Sequence, residues 1–241
     1  MNRLVKRTAL MAVVAIPLAA GAQDSKLEAS VGADVVSSYI WRGQDLGSVA
    51  IQPSASVSYG GFSLGAWGSY GIADATDTKE LDITLSYTTG GFTLGVTDYW
   101  FSGAEQRDRY FLYGAHSTAH VFEANVGYDF CILSVNWFTN FAGSDYRPDG
   151  KRAYSSYFEL AAPFRLGGLE WSAAVGCVPF KSSATYTDSA GEPVDGFSVA
   201  NVTLGVTKEV KVTDTFSLPL SASLTANPGS GKMYMTFGMS L

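Results

Sequence analysis

KLEASVGADVVSSYIW, residues Lys26 to Trp41, alternates with a period of two. Leu27, Ala29, Val31, Ala33, Val35, Tyr39 and Trp41 fall on one face, and Glu28, Ser30, Gly32, Asp34 and Ser38 on the other. Successive side chains of a strand point to opposite sides of a sheet, so the pattern predicts a strand with one apolar and one polar face.

The same pattern runs through the rest of the chain. Val49, Ile51, Ala55, Val57 and Tyr59 alternate with Gln52, Ser54, Ser56 and Ser58. Phe62, Leu64 and Ala66 start a third strand, which runs to about Tyr70. Leu81, Ile83, Leu85 and Tyr87 oppose Glu80, Asp82, Thr84 and Ser86, and Phe92, Leu94 and Val96 lead to Trp100. Seven further segments continue the rhythm, opening near Phe122, Leu133, Phe158, Leu169, Ala200, Phe216 and Met233. The reading gives twelve strands, and single-chain bacterial barrels take an even number. No run after the leader reaches the length of a membrane-spanning helix.

Before the first strand lies a targeting segment. Arg3, Lys6 and Arg7 form a basic start, Ala9 to Leu18 an apolar core, and Ala20-Gly21-Ala22 the small-x-small form that signal peptidase reads. The expectation is cleavage after Ala22, leaving residues 23–241 as one barrel domain. No Cys follows the cleavage site, which speaks against a lipoprotein. Three of the 16 basic residues and none of the 22 acids lie in the leader, so the mature chain carries a formal charge of −9. That acidity argues against nucleic acid as a partner. Charged residues are 16% of the chain, well below the ~25% of an ordinary soluble domain.

Alternation alone does not say which face looks outward, since soluble sandwiches and lipocalin-type barrels also alternate. Four features favour a transmembrane antiparallel up-and-down β-barrel. Tight connections (Gly60-Gly61, Thr89 to Gly91, Asp129 to Cys131, Gly167-Gly168, Glu209 to Asp214) alternate with longer ones (Arg42 to Ser48, Ile72 to Thr78, Ser102 to Ala119, Gly143 to Lys151, Pro179 to Gly196, Asn227 to Gly231). Short periplasmic turns and long extracellular loops are the membrane-barrel asymmetry, and both termini then fall on the periplasmic side. The polar face carries almost no Lys. Aromatic residues, Tyr39 and Trp41 among them, gather toward strand ends as interfacial girdles would. The chain closes on an alternating strand, Met233 to Leu241.

The segment Val36-Ser37-Ser38-Tyr39-Ile40-Trp41-Arg42-Gly43 resembles the opening signature of the TorF-type porin family: serine, an aromatic, a few residues, then Arg-Gly. Ile51-Gln52-Pro53, Gly61-Phe62, Ala66-Trp67-Gly68-Ser69 and Glu80-Leu81-Asp82 continue the likeness to about Trp100. Trp41 and Asp45-Leu46-Gly47 depart from the family's pattern around the Arg-Gly pair. The resemblance implies an outer-membrane channel of a Gram-negative bacterium.

The functional expectation is passive diffusion of small hydrophilic solutes, with outer-membrane lipid and the barrel-assembly machinery as further partners. Glu28, Asp34, Glu80, Asp82, Glu123, Glu159 and Glu170 are expected to face the lumen, with Arg42 and Arg165 toward opposite rims. Carboxylate rings favour cations, which predicts a mild cation preference. The lumen is either open or plugged by these groups pairing with one another. Arg42 is read either as a constriction residue or as a rim residue bonding the first loop.

Two other classes remain. A structural or adhesive surface barrel would need only its loops, such as residues 180–196 with Asp188, Glu192 and Asp195. A lipid-modifying enzyme would need a nucleophile, a base and an orienting partner. His116 and His120 flank Ser117 in the longest loop without such a constellation, and lack the Glu of a zinc-protease helix. No catalytic residue, metal or cofactor is expected. Cys131, at a short turn, and Cys177, near the opposite end of a strand, are expected to be free thiols, because a disulfide cannot bridge more than ~7 Å between Cα atoms.

Overall fold

The computed structural model of the chain describes residues 26–74, 77, 79–102, 109–114 and 116–241. The predicted signal peptide and its cleavage site lie outside them. The described chain is all strand and loop: β1 (Glu28–Val36), β2 (Tyr39–Trp41), β3 (Gln44–Gly47), β4 (Ala50–Tyr59), β5 (Phe62–Gly71), β6 (Lys79–Thr89), β7 (Phe92–Ser102), β8 (His120–Asp129), β9 (Ser134–Gly143), β10 (Ser156–Leu166), β11 (Leu169–Val178), β12 (Ser198–Lys211), β13 (Ser217–Asn227) and β14 (Lys232–Ser240). Twelve of these strands close into an antiparallel barrel in which each pairs with the next, and β1 bonds both β4 and β14. β2 and β3 form a separate hairpin that is not part of the wall.

The tight turns owe their shape to glycine pairs. Gly60-Gly61, Gly90-Gly91 and Gly167-Gly168 all have positive φ at both positions, as the two-residue turns that match strand twist require. At this end of the barrel Tyr59, Phe62, Phe92, Tyr128, Phe130 and Phe164 are exposed, forming one aromatic belt. Phe62 packs on Tyr87 and Tyr128 on Phe130, with ring centroids 4.7 and 4.6 Å apart.

Burial settles which face looks out. Val57, Leu64, Leu85, Leu94, Val126, Leu204, Leu224 and Met235 are exposed, whereas Gln52, Asp82, Thr97, Glu123, Asn140, Glu159, Asn201 and Thr236 are buried. A soluble barrel or sandwich buries its apolar face; this barrel does the reverse along its wall.

The first strand differs from the sequence reading. β1 ends at Val36, and the alternation expected to run to Trp41 stops at Ser37-Ser38. Ser37 is still tied to β14, its amide donating to the Phe237 carbonyl and its Oγ accepting from the Phe237 amide. Beyond it the chain turns into the barrel. Arg42 and Gly43 have φ of 48° and 78°, the left-handed pair that closes a two-residue hairpin between Trp41 and Gln44. Tyr39 and Trp41 therefore point into the lumen and not into an outer girdle; Tyr39 is 4% exposed.

Candidate functional site

The hairpin turns Arg42 into the barrel, away from the rim that was one of its two expected places. Its side chain is 8% exposed. Nη1 and Nη2 donate to Glu123 Oε2 and Oε1 at 2.7 and 2.8 Å, a two-pronged pairing with β8 on the far wall. Nη1 also donates to the Tyr186 hydroxyl at 2.7 Å. The guanidinium carbon lies 4.4, 4.1 and 4.7 Å from the ring centres of Trp41, Phe138 and Tyr157. Burial works against the charge, but Glu123 more than offsets it and the guanidinium stays ionised. A planar fork that pairs and stacks at once is what arginine supplies and lysine does not.

Around that fork the aromatic groups form a continuous stack. Trp41, Tyr186 and Tyr157 lie nearly parallel at 5.8 Å spacings. Tyr157 reaches across β11 because Gly176 carries no side chain; a Cβ there would collide with its ring and hydroxyl. Tyr157 donates to Glu159 at 2.8 Å, and Tyr99 donates to Glu123 at 2.9 Å. The tip is locked against the opposite wall, with Asn227 donating to the Gly43 carbonyl at 2.9 Å. Gly43 itself lies so close to β12 that a Cβ would fall 1.8 Å from the Ala200 carbonyl oxygen.

The loop between β11 and β12 completes the plug. Ser182, Ser183, Tyr186 and Val194 are buried, and Thr185 accepts a bond from the Gln44 side chain at 2.7 Å. Burial pushes the Tyr186 phenol above its ordinary value. Asp145, from the β9–β10 loop, is fully buried and accepts from the Ser155 amide and hydroxyl; Ser155 in turn bonds Ser183. The loop's acids stay outside, where Asp188 closes a turn and Asp195 pairs with Lys181. The region read as a possible adhesive loop thus folds largely inward.

Of the remaining candidates, Glu80, Asp82, Glu123 and Glu159 are buried inside the barrel. Glu80 and Asp82 share a proton in the bond between them and Glu80 also bonds Tyr39, while Asp82 Oδ1 has no hydrogen-bond partner among the described residues. Asp34 is half-buried beside Ser240. Glu28 and Glu170 are not enclosed: both are at the short-turn end, where Glu28 is exposed and Glu170 accepts from Arg165 at 2.6 Å. The strands narrow to exposed rim positions there, so alternation puts these side chains on the inner face without burying them.

His116 stacks on Tyr146. His120, expected in a loop, opens β8 and is fully buried between the Asp98 carboxylate at 2.7 Å and the Tyr110 carbonyl at 2.5 Å. Ser117 donates to the Gly114 carbonyl. Cys131 and Cys177 are both free.

Beneath the plug a cavity of about 380 Å³ runs from Trp41, Arg42 and Tyr157 to Asp129, Cys131 and Ser134 at the β8–β9 turn. Hydroxyl and carboxamide side chains such as Thr84, Asn125, Asn136 and Asn201 are interleaved on its walls with a larger apolar surface, and among the described residues Arg42 is the only basic side chain lining it. Of the rings on Arg42, Phe138 and Tyr157 were not singled out from sequence, yet their signal was present: like Trp67 and Tyr99, which pack on Tyr39 and Trp41, they are aromatic residues on the polar phase of their strands. No curated protein matches the sequence. A family model described as "Bacterial protein of unknown function (Gcw_chp)" matches residues 19–217, and the chain belongs to that family.

Proposed function

Starting from that membership in a bacterial family of unassigned function, we propose that the protein is a gated outer-membrane channel for small hydrophilic solutes. The observation that carries the reading is the inverted barrel: apolar outside, with hydroxyls, carboxamides and carboxyls turned inward to a cavity that ends at the hairpin and the β11–β12 loop. An outward apolar wall is stable only where hydrocarbon replaces water, and a closed barrel leaves no strand edge unpaired in that medium. The likeness of Val36 to Gly43 to the TorF-type porins points the same way. On this reading the short-turn end faces the periplasm, and the barrel-assembly machinery inserts the chain. Among the described residues the buried carboxyls Glu80, Asp82, Glu123, Asp145 and Glu159 outnumber the buried guanidinium of Arg42, even with one proton shared between Glu80 and Asp82, which supports a mild preference for cations.

A second reading, a closed surface barrel, is favoured by the seated plug. Planar-bilayer recording of the refolded chain separates the two. Discrete conductance steps with a cation-selective reversal potential are expected, brief in the wild type and longer when the plug is released. Silence in both the wild type and plug-released variants would reject the channel. The membrane half has its own check. Val96→Arg, at an exposed mid-strand position, should destabilise the barrel in lipid vesicles by about 2–4 kcal/mol. Thr97→Ser, one residue on and facing inward, should change it by less than ~1 kcal/mol. Equal effects in denaturant titrations would remove the case for a lipid-facing wall.

A further inference from the structure

We propose that the cavity beneath the plug binds an uncharged polyhydroxylated solute, a sugar of one or two rings, an inference that rests on the channel reading for the solute's route. The volume of about 380 Å³ falls in the range of small-molecule sites. Charge excludes the ionic alternatives. Among the described residues three charged side chains line the cavity, and each is engaged: Arg42 by Glu123, Glu159 by Tyr157, and Asp129 by the Cys131 amide. At Arg42 and Glu159 an ionic ligand would have to break a buried pair and leave a charge alone, whereas Asp129 lies at the open turn end and is held by its local turn.

What remains available is hydroxyl and carboxamide chemistry, in which each group both donates and accepts. A ligand with many hydroxyls has the same dual character. Asn125 and Asn136 are the built part of the site. Among the described residues neither carboxamide is held by another side chain. Both lie over glycines of the neighbouring strand, where a Cβ on Gly95 would strike Asn125 Oδ1 and one on Gly127 would strike Asn136 Oδ1. The glycines leave room for two amides flat against the wall. Above them Trp41 and Phe138 bring apolar ring carbon to the lining, where the C–H groups of a sugar can pack.

The test uses the refolded full chain in detergent, titrated with glucose and maltose by calorimetry and tryptophan fluorescence, with citrate and arginine as charged probes. The KCl conductance of the same preparation is recorded in parallel. Saturable binding of at least one sugar is expected, weakened about tenfold or more in the Asn125→Leu/Asn136→Leu double variant. Heat-modifiable migration certifies the variant's barrel, and the single variants serve if the double does not fold. Wild-type protein that conducts KCl yet binds neither sugar overturns the sugar site and leaves the channel. Tighter binding of a charged probe, or undiminished binding by the folded variants, also overturns it. Sugar binding without conductance rejects the channel and keeps the cavity as a binding site.

Discussion

Arg42→Ala is expected to raise the mean conductance of the barrel several-fold and to shift its reversal potential further toward cations. The substitution removes both bonds to Glu123, the bond to Tyr186 and the three ring contacts together. Breaking a buried ion pair by deleting one partner costs about 3–5 kcal/mol, because the other charge is left behind. Here the loss falls on the seating of the hairpin, since no wall strand depends on Arg42 for its ladder. The barrel should therefore stay heat-modifiable while its lumen opens. The same change removes the single positive charge facing Glu123, which strengthens the cation field. Arg42→Lys should give an intermediate conductance, since a point charge keeps the attraction but loses the fork and the stack. Wild-type conductance in Arg42→Ala would show that the hairpin does not control passage.

Gly43→Val should unseat the same hairpin by a route that leaves every charge in place. The residue has φ of 78°, and its Cβ would fall on the Ala200 carbonyl of β12. A β-branched residue in that conformation costs about 1–3 kcal/mol of strain before any collision is counted. Both terms vanish if the tip leaves the wall, so the plug moves and the wall does not. The variant should reproduce the longer openings of Arg42→Ala without its added selectivity, because Arg42 remains near the permeation path. Comparing the two by reversal potential separates the steric part of the gate from the electrostatic part. Identical selectivity shifts in both would contradict the assigned role of Arg42.

How much of this was legible follows from which interactions are local. Strand phase is local, so the twelve wall strands, the glycine turns and the buried carboxylates Glu80, Asp82, Glu123 and Glu159 can be read from alternation. The orientation of the apolar face also followed, with help from the unequal loops. What failed was the end of the first strand. Tyr39 and Trp41 keep the period of β1, and only the Ser37-Ser38 break and the left-handed Arg42-Gly43 pair redirect them. Their reward comes from residues on other strands and loops, which no local period encodes: Trp67 and Glu80 for Tyr39, and Tyr99 and Tyr186 for Trp41. The aromatic groups at Tyr99, Phe138 and Tyr157 were visible as rings out of phase with their strands. Aromatic rings on an otherwise polar face need an apolar partner inside the barrel, and the hairpin is that partner. The pairing of Arg165 with Glu170 was missed for a simpler reason, since alternation assigns a face but not a depth.

The hairpin is the first loop of the barrel, yet everything that holds it belongs to the later chain. Glu123 is 81 residues on, Tyr186 is 144, and Asn227, which clasps Gly43, is 184. Contacts of that separation can form only after the intervening loops have closed, which makes them late events. The gate is therefore assembled last although its sequence emerges almost first. In the channel proposed above, the lumen would stay unsealed until Asn227 of β13 reaches the Gly43 carbonyl. A chain halted before that point would sit in the bilayer as a hole with no door.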